Sequence, residues 1–406
     1  MKGPLAEIRV VDCTQWIQGG MVGVMLSDMG ADVIKIEEPE QGDQTRGWLQ
    51  AGFGAQAHKV ERNYSFESAN RGKKSMTLNL LKENGREIFY SLIRRADIFV
   101  HNWRGEKVPR KLGADYDTLA KVNPQLIYSQ VSGWGPKGPD SGLPAFEPSA
   151  QARAGMLDLF RGPDSPPIIF PGGSGDITGA TLAVVGILAA LEARRHLGKG
   201  QKVDTSLLGS ILHLLTFQLA SFGIAHEVFP QRSRFTMGNQ LWNHYQCADG
   251  KWITFSMSQP DRYWHNFCLA IGMPELEKDR RFENLQVRAE NAKELIAILD
   301  GQFATKPRDE WLKQFKEANV DLIYSAIQSI PEVFQDPQVL ANEYLVDFDH
   351  PAYGPVKIIG VPYKFSETPA EPRHAAPELG QQTEEVLLEL GYSWSDVPKL
   401  RDEGVI

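Results

Sequence analysis

Short runs of β-branched and apolar residues recur through the first third of the chain, separated by stretches whose apolar positions repeat at helical spacing. The runs IRVVDC (8–13), DVIKIE (32–37), SMTLNL (75–80), DIFVHN (97–102) and LIYSQVS (126–132) predict strands. MVGVMLSDMG, stopping at Gly30, and ENGREIFYSLIRRA predict helices between them. Strands alternating with helices build β-α-β units and a largely parallel sheet, so the fold class read here is α/β, with a Rossmann-like large domain. The first strand is followed by QGGMVG (18–23) rather than a GxGxxG, which weakens a nicotinamide-cofactor reading. SGWGPKGPDSGLP (132–144) holds too much Gly and Pro for regular structure and predicts a surface or active-site loop.

GGSGDITGATLAVVGILAALEARR (172–195) predicts one long apolar helix, closed by the glycines of GKGQKVDTSLLGS (198–210), after which KVDTSL reads as a strand. Near residue 228 the texture changes to a meander or hairpin with ADG (248–250) as its turn, and 261–343 is mainly helical. VKIIGVPYKF (356–365) is strand-like, TPAEPRHAAPELG (368–380) is a Pro-rich linker, and the terminus is helical. The pattern divides the chain into a large domain (1–227), a smaller α+β domain (228–343) and a C-terminal return to the large domain (344–406).

Asp176 stands at the entrance of the long helix, behind Gly172, Gly173, Ser174 and Gly175. Two readings hold on position alone. Asp is a strong N-cap residue, and a carboxylate on a loop of small residues can also act as a nucleophile or an acid/base group. The positive helix end would keep it ionised.

Composition narrows the function classes. Apolar content of 42% and charged content of 23% are ordinary for a globular protein, and no segment approaches the roughly 18 to 20 uninterrupted apolar residues of a membrane span. A net charge of −8 disfavours a general nucleic-acid or anionic-membrane surface. MKGPLAEIRVVDC lacks the apolar region of a secretory signal, so a cytoplasmic location is expected. Cys13, Cys247 and Cys268 are odd in number and widely spaced, as buried reduced thiols are. The nine histidines form no metal-ligand spacing, no metal site is predicted, and GxSxG, HExxH and GxxxxGK[ST] are absent. Basic residues cluster in NRGKKS (70–75) and NWRGEKVPRK (102–111), at the ends of strands of one sheet, and Trp103 adds an aromatic face beside Arg104. That combination suits an adenine ring and phosphates; the alternative is a solvated turn.

These segments together resemble the class III CoA-transferase family, of the formyl-CoA transferase and carnitine CoA-transferase type. The carriers are MGADVIKIEEPEQGDQTRGW (29–48), NRGKKSMTLNL (70–80), HNWRGEKVPRKLG (101–113), LIYSQVSGWGPKGP (126–139), GDITGATLAVVGILAALEARRHLGKGQKVDTSL (175–207) and APELGQQTEEVLLELGYS (376–393). The resemblance implies that Asp176 is the nucleophile, with Gln15 at a polar active-site position; the next position that often carries Gln is Ile17 here, with Gln18 beside it. It implies CoA contacts at Leu78, Lys82, Asn102, Trp103 and Arg104, with Arg110 and Lys111 competing for one phosphate-binding role. Gly19 and Gly20 would let ligands approach backbone N–H groups. CoA thioesters and small carboxylic acids are the implied substrates, with no tightly bound cofactor, no nucleic acid and no membrane partner, and the assembly is an interlocked-ring homodimer, a heteromer being the alternative. SRFTMGNQLWNHYQC (233–247) replaces the family's glycine-rich loop, and Trp242 and Tyr245 there either line a larger acyl pocket or pack the small domain. The alternatives are a 2-methylacyl-CoA racemase, whose His-Asp pair is missing from PAFEPSAQA (144–152), and one subunit of a heteromeric transferase of the benzylsuccinate type.

Overall fold

The computed structural model describes residues 3–47, 64–163, 165–170, 173–229, 231 and 233–406. Its contacts separate two units: residues 1–157, 169–228 and 343–406 form the first, and 158–168 with 229–342 the second.

The first unit is built on a six-stranded parallel sheet of β1 (Arg9–Cys13), β2 (Asp32–Glu37), β3 (Lys74–Thr77), β4 (Ile98–His101), β5 (Ile127–Ser132) and β6 (Lys202–Ser206). The order across the sheet is 3-2-1-4-5-6, the doubly wound arrangement, whose direction reverses between β1 and β4. Its helices are α1 (Trp16–Asp28), α2 (Tyr64–Asn70), α3 (Glu83–Ile93), α4 (Lys107–Leu112), α5 (Tyr116–Val122), α6 (Glu147–Arg153), the short α7 (Met156–Leu159), α8 (Ser174–Leu197), α9 (Leu207–Leu214) and α10 (Thr216–Ala225). Strands covered on both faces read as continuous apolar runs, and successive residues serve opposite cores. Val11, Phe99 and Tyr128 pack with Ile88 and Phe89 of α3, whereas Val10, Ile98 and Ile127 pack with Leu26 of α1 and Ala183 and Ile187 of α8. By length and composition α8 could cross a membrane, but it lies along α1, β5 and β6 as a core helix does.

The strand predicted over 75–80 stops at Thr77. Thr77 N–H donates to Thr383 Oγ1 (3.1 Å) and Asn79 N–H to the Val405 carbonyl (2.8 Å), so the chain leaves the sheet for its own C-terminal segment.

In the second unit β7 (His244–Gln246), β8 (Trp252–Phe255) and β9 (Tyr324–Ile327) form an antiparallel sheet, with the expected turn at Ala248–Gly250 joining the first two. β9 was not legible in the helical texture of 261–343. Helices α11 (Pro260–Ala270), α12 (Leu285–Glu290), α13 (Ala292–Phe303), α14 (Arg308–Ala318), α15 (Ile330–Val333) and α16 (Pro337–Ala341) complete the unit. Phe255, Phe267, Phe303, Trp311 and Phe315 fill its core.

The chain then returns to the first unit. The strand expected over 356–365 is shorter, β11 (Gly354–Ile359), and pairs with β10 (Leu345–His350). Helices α17 (Thr383–Leu390) and α18 (Asp396–Asp402) bury Val386, Leu387 and Leu400 with the α3 side of the large sheet. All three cysteines are buried and reduced.

Candidate active site

The strand order reverses between β1 and β4, and at their carboxyl ends an open α/β sheet leaves a crevice. Asp12, wholly buried, turns the chain after β1 by accepting from the Thr14 N–H (2.8 Å) and hydroxyl (2.6 Å). Its second oxygen accepts from Lys73 (2.8 Å). Lys35, also fully buried, donates to the Thr14 carbonyl (2.7 Å) and to Asp43 (2.8 Å). Burial raises the pKa of Asp12, but the Lys73 and Lys35 charges outweigh it and leave the group below the usual carboxylate range.

Asn102, just past β4, spans the crevice. Its oxygen accepts from the Gln15 N–H (3.0 Å) and its amide donates to the Gln15 carbonyl (2.6 Å). The next residue, Trp16, has φ 64°, and its N–H reaches Asp43 Oδ1 at 3.4 Å.

The second element of the site is a pair of acids. The long helix begins at Ser174, capped by Gly173 in the left-handed region with no side-chain cap, so Asp176 is its third residue and not its N-cap. Facing it is Glu147, first residue of α6 and mostly buried, with Pro148 behind it in the first turn. Glu147 Oε1 accepts from Gly175 N–H (2.8 Å), Ser174 Oγ (2.9 Å) and Gln151 Nε2 (2.7 Å). Gln151 is in turn pinned by the Phe170 backbone at 2.9 and 3.0 Å. Burial, then the charge of Glu147 and a hydrogen bond to it, push the Asp176 carboxyl up to about 7. The helix end does not hold it ionised, as its position alone implied; a like charge and poor solvation win.

The structure brings some expected residues together and sets others apart. Gln15 is half-buried with its backbone in the Asn102 clamp, so the Asn102 amide is already engaged. Gln18 is the amide against the long helix: a Cβ on Gly179, one turn after Asp176, would lie 2.2 Å from Gln18 Nε2, which is buried with no hydrogen-bond partner among the described residues. The signal for it was the glycine three places after Asp176. Gly19 and Gly20 are buried for packing, not for ligand approach, since Cβ atoms there would strike Thr14 Cβ (2.5 Å) and the Ala69 carbonyl (2.8 Å). Gly172 lies outside the described residues.

Leu78 is a core residue, 2% exposed, and its N–H is already donated to the Glu37 carbonyl (2.8 Å). Lys82 is exposed just before α3. Trp103 is half-buried, packed on His101 (4.9 Å) and Phe99 (6.0 Å), and its N–H donates to His101 Nδ1 (3.3 Å). Burial, with a smaller push from Lys202, lowers His101 to about 3, so it is a neutral acceptor. Arg104 is exposed after β4, and Arg110 and Lys111 are both exposed on the last turn of α4. The other basic cluster is consumed internally: Arg71 pairs with Asp28, Lys73 with Asp12, and Lys74 with Asp32 and Glu385. In the second unit Tyr245 stacks on Phe303 in the core, whereas Trp242 lines a cleft of about 580 Å³ with Ser233, Thr236, Asn239 and Ser258. The sequence carries no signal for Glu147, which stands in a segment (144–152) marked there only by its lack of histidine.

Comparison with known proteins gives the family. The family described as CoA-transferase family III matches residues 5–383. Cinnamoyl-CoA:phenyllactate CoA-transferase of Clostridium sporogenes is 31% identical over 401 residues, 98% of this chain and 95% of that one. Succinyl-CoA:glutarate CoA-transferase of Mus musculus is 30% identical over 408 residues, covering 99% and 90%. A CAIB/BAIF family protein from Brucella suis has a crystal structure that superimposes with a TM-score of 0.85 at 29% identity, covering 96% of this chain and 100% of its own. On the family match and on relatives alike over their whole lengths, this chain belongs to CoA-transferase family III, enzymes whose substrates are CoA thioesters.

Proposed function

We propose that the enzyme moves CoA from an acyl-CoA donor to a carboxylic acid through covalent intermediates on Asp176. The observation that carries this reading is the Asp176–Glu147 pair, an acid raised to about 7 on the first turn of α8 with no cation paired to it among the described residues. A carboxylate whose charge is not neutralised keeps its nucleophilicity, and the group is ionised in a growing fraction of molecules as pH rises through about 7.

The steps balance without an outside reagent. The Asp176 carboxylate attacks the thioester carbonyl, the C–S bond breaks, and a mixed anhydride and CoA thiolate result. The thiolate attacks the Asp176 acyl carbon, giving an aspartyl thioester and releasing the donor acid. The acceptor carboxylate attacks that thioester, and the freed thiolate then takes the acceptor acyl group and leaves Asp176 ionised. Carboxylate attack conserves the thioester energy that water would dissipate. Gln18, whose buried Nε2 lies against Gly179, one turn after Asp176, with no hydrogen-bond partner among the described residues, is the donor we assign to the oxygens that gain charge. Exposed Arg104, with Arg110 or Lys111, is assigned to the phosphates of CoA.

Racemisation fits less well. Two bases that exchange an α-proton flank the carbon on opposite faces, and carboxyls hydrogen-bonded to each other leave no room for it. The assembly we propose is a dimer: α10 has no buried residue, and Phe217 and Ile224 on it are 80% and 83% exposed, apolar surface that a second copy would cover. The relatives act on acids as different as phenyllactate and glutarate, so the donor is a matter for experiment. The protein incubated with succinyl-CoA and arylacyl-CoAs and quenched with hydroxylamine is expected to carry a hydroxamate on the Asp176 peptide, absent from Asp176→Ala. Folded, CoA-binding protein that gives none with any donor would sink the covalent reading.

A further inference from the structure

Four non-glycine residues among those described have positive φ: Trp16 (64°), His226 (57°), Asn319 (49°) and Glu343 (55°). His226 and Asn319 end helices, where a left-handed residue closes the last turn. Trp16 begins one, where helix formation does not call for it, and a bulky residue in this region is strained. The surroundings over-determine the conformation: Asn102 clamps the backbone of Gln15, Asp43 receives the Trp16 N–H, and buried Lys35 fixes Asp43. Strain held this firmly is a mark of use.

Its result is the direction of the indole. The ring meets Phe146 edge-on, with centroids 5.0 Å apart and planes at 83°. Phe146 immediately precedes Glu147 and is 56% exposed. Phe146 thus holds open aromatic surface one residue from Glu147.

We propose that Trp16 and Phe146 form the wall that receives the acyl part of the thioester and select flat, aromatic acyl groups over short ones. This rests on the transfer reading above and adds the class of acid to it. Ring faces and edges attract another ring beyond simple area burial, whereas acetyl offers them little to touch.

Glycine takes φ near 64° without strain, so Trp16→Gly removes the indole and leaves the turn intact, and Phe146→Ala removes an exposed ring. Calorimetric Kd values for 3-phenylpropanoyl-CoA, acetyl-CoA and CoA are measured on the whole enzyme and on both variants. The unmutated enzyme is expected to prefer 3-phenylpropanoyl-CoA to acetyl-CoA by roughly tenfold or more, and each variant to lose about tenfold of that ratio with CoA itself within about twofold. No preference in the unmutated enzyme, an unchanged ratio in both variants, or equal weakening of all three ligands would overturn the proposal. The readout is binding, so failure to trap acyl groups on Asp176 would refute the transfer chemistry and leave this result to stand or fall separately.

Discussion

Asp12 and Asp176 are two poorly solvated aspartates in the same unit, and their carboxyls are driven in opposite directions. Asp12 lies between Lys73 and Lys35, donates nothing and accepts three bonds; its pKa is lowered even though burial works the other way. Asp176 meets Glu147 instead of a lysine and rises to about 7. The fold thus invests one acid in structure, where a neutralised charge locks the β1–α1 turn, and leaves the other at odds with its surroundings. Acids in the second condition cluster where chemistry is done, which is the ground for the role proposed for Asp176.

The same chemical change made at the two positions tests the contrast most severely. Asp176→Asn is expected to abolish transfer, by roughly 10⁴-fold or more in kcat. It should not harm the fold. With its pKa raised, Asp176 holds more protons folded than unfolded between about pH 4 and 7, so stability falls as pH rises across that window. The asparagine variant escapes that loss and is expected to be more stable at pH 8 by about 1 to 2 kcal/mol. Asp12→Asn leaves Lys73 and Lys35 buried with half their compensation and is expected to cost about 3 to 5 kcal/mol. The stability that Asp12 contributes is present above its ordinary pKa of 3.8 and is lost as pH falls below it, so the two variants have opposite pH profiles. Urea unfolding of both at pH 3, pH 5 and pH 8 spans both windows and checks this; equal destabilisation by the two would erase the distinction.

A milder probe alters only the neighbour. Glu147→Gln keeps an oxygen for Gly175 N–H but removes the negative charge beside Asp176. Burial is the larger cause of the raised pKa and remains, so the pKa is expected to fall by one to two units rather than return to 3.8. On the transfer reading the ionised form is the nucleophile, so the rate of acylation is expected to rise through about pH 7 in the unmutated enzyme and at correspondingly lower pH in the variant, with a maximum reduced about 10- to 100-fold. Hydroxamate formation in single-turnover quench experiments from pH 5 to 9 follows it. A profile still centred on 7 would leave burial alone responsible.

What the sequence disclosed follows the same line. β1, β2, β4 and β5 are covered on both faces, and their continuous apolar runs were legible nearly to the residue. β10, whose alternating LVDFDH leaves Asp347 and Asp349 exposed, has no continuous apolar run to mark it, and the end of β3 depends on Thr383 and Val405, some 300 places away. Asp176 stood out because a single acid opens an apolar helix. Glu147 did not, since what makes it significant is contact with Ser174, Gly175 and Asp176 across a loop of irregular chain. Residue type shows which groups could react; it is silent on which of them another side chain has already engaged, as Lys73 and Asn102 are.

Asn102 offers the finest test, because its two readings predict different losses. As a clamp it satisfies the N–H and carbonyl of Gln15 and holds Trp16 in the left-handed region. As an adenine contact it would serve CoA directly. Asn102→Ala leaves two half-buried backbone groups unpaired, which costs about 1 to 3 kcal/mol where water cannot reach them. The clamp therefore predicts a measurable loss of stability, faster exchange of the Gln15 and Trp16 amides, and a change of less than about threefold in Kd for CoA itself. An adenine contact predicts the reverse, unchanged exchange with CoA binding weakened about tenfold. Both of the amide's polar ends are bound to Gln15 at 2.6 and 3.0 Å, and a side chain so engaged has little left to offer a base, so the first outcome is the one expected.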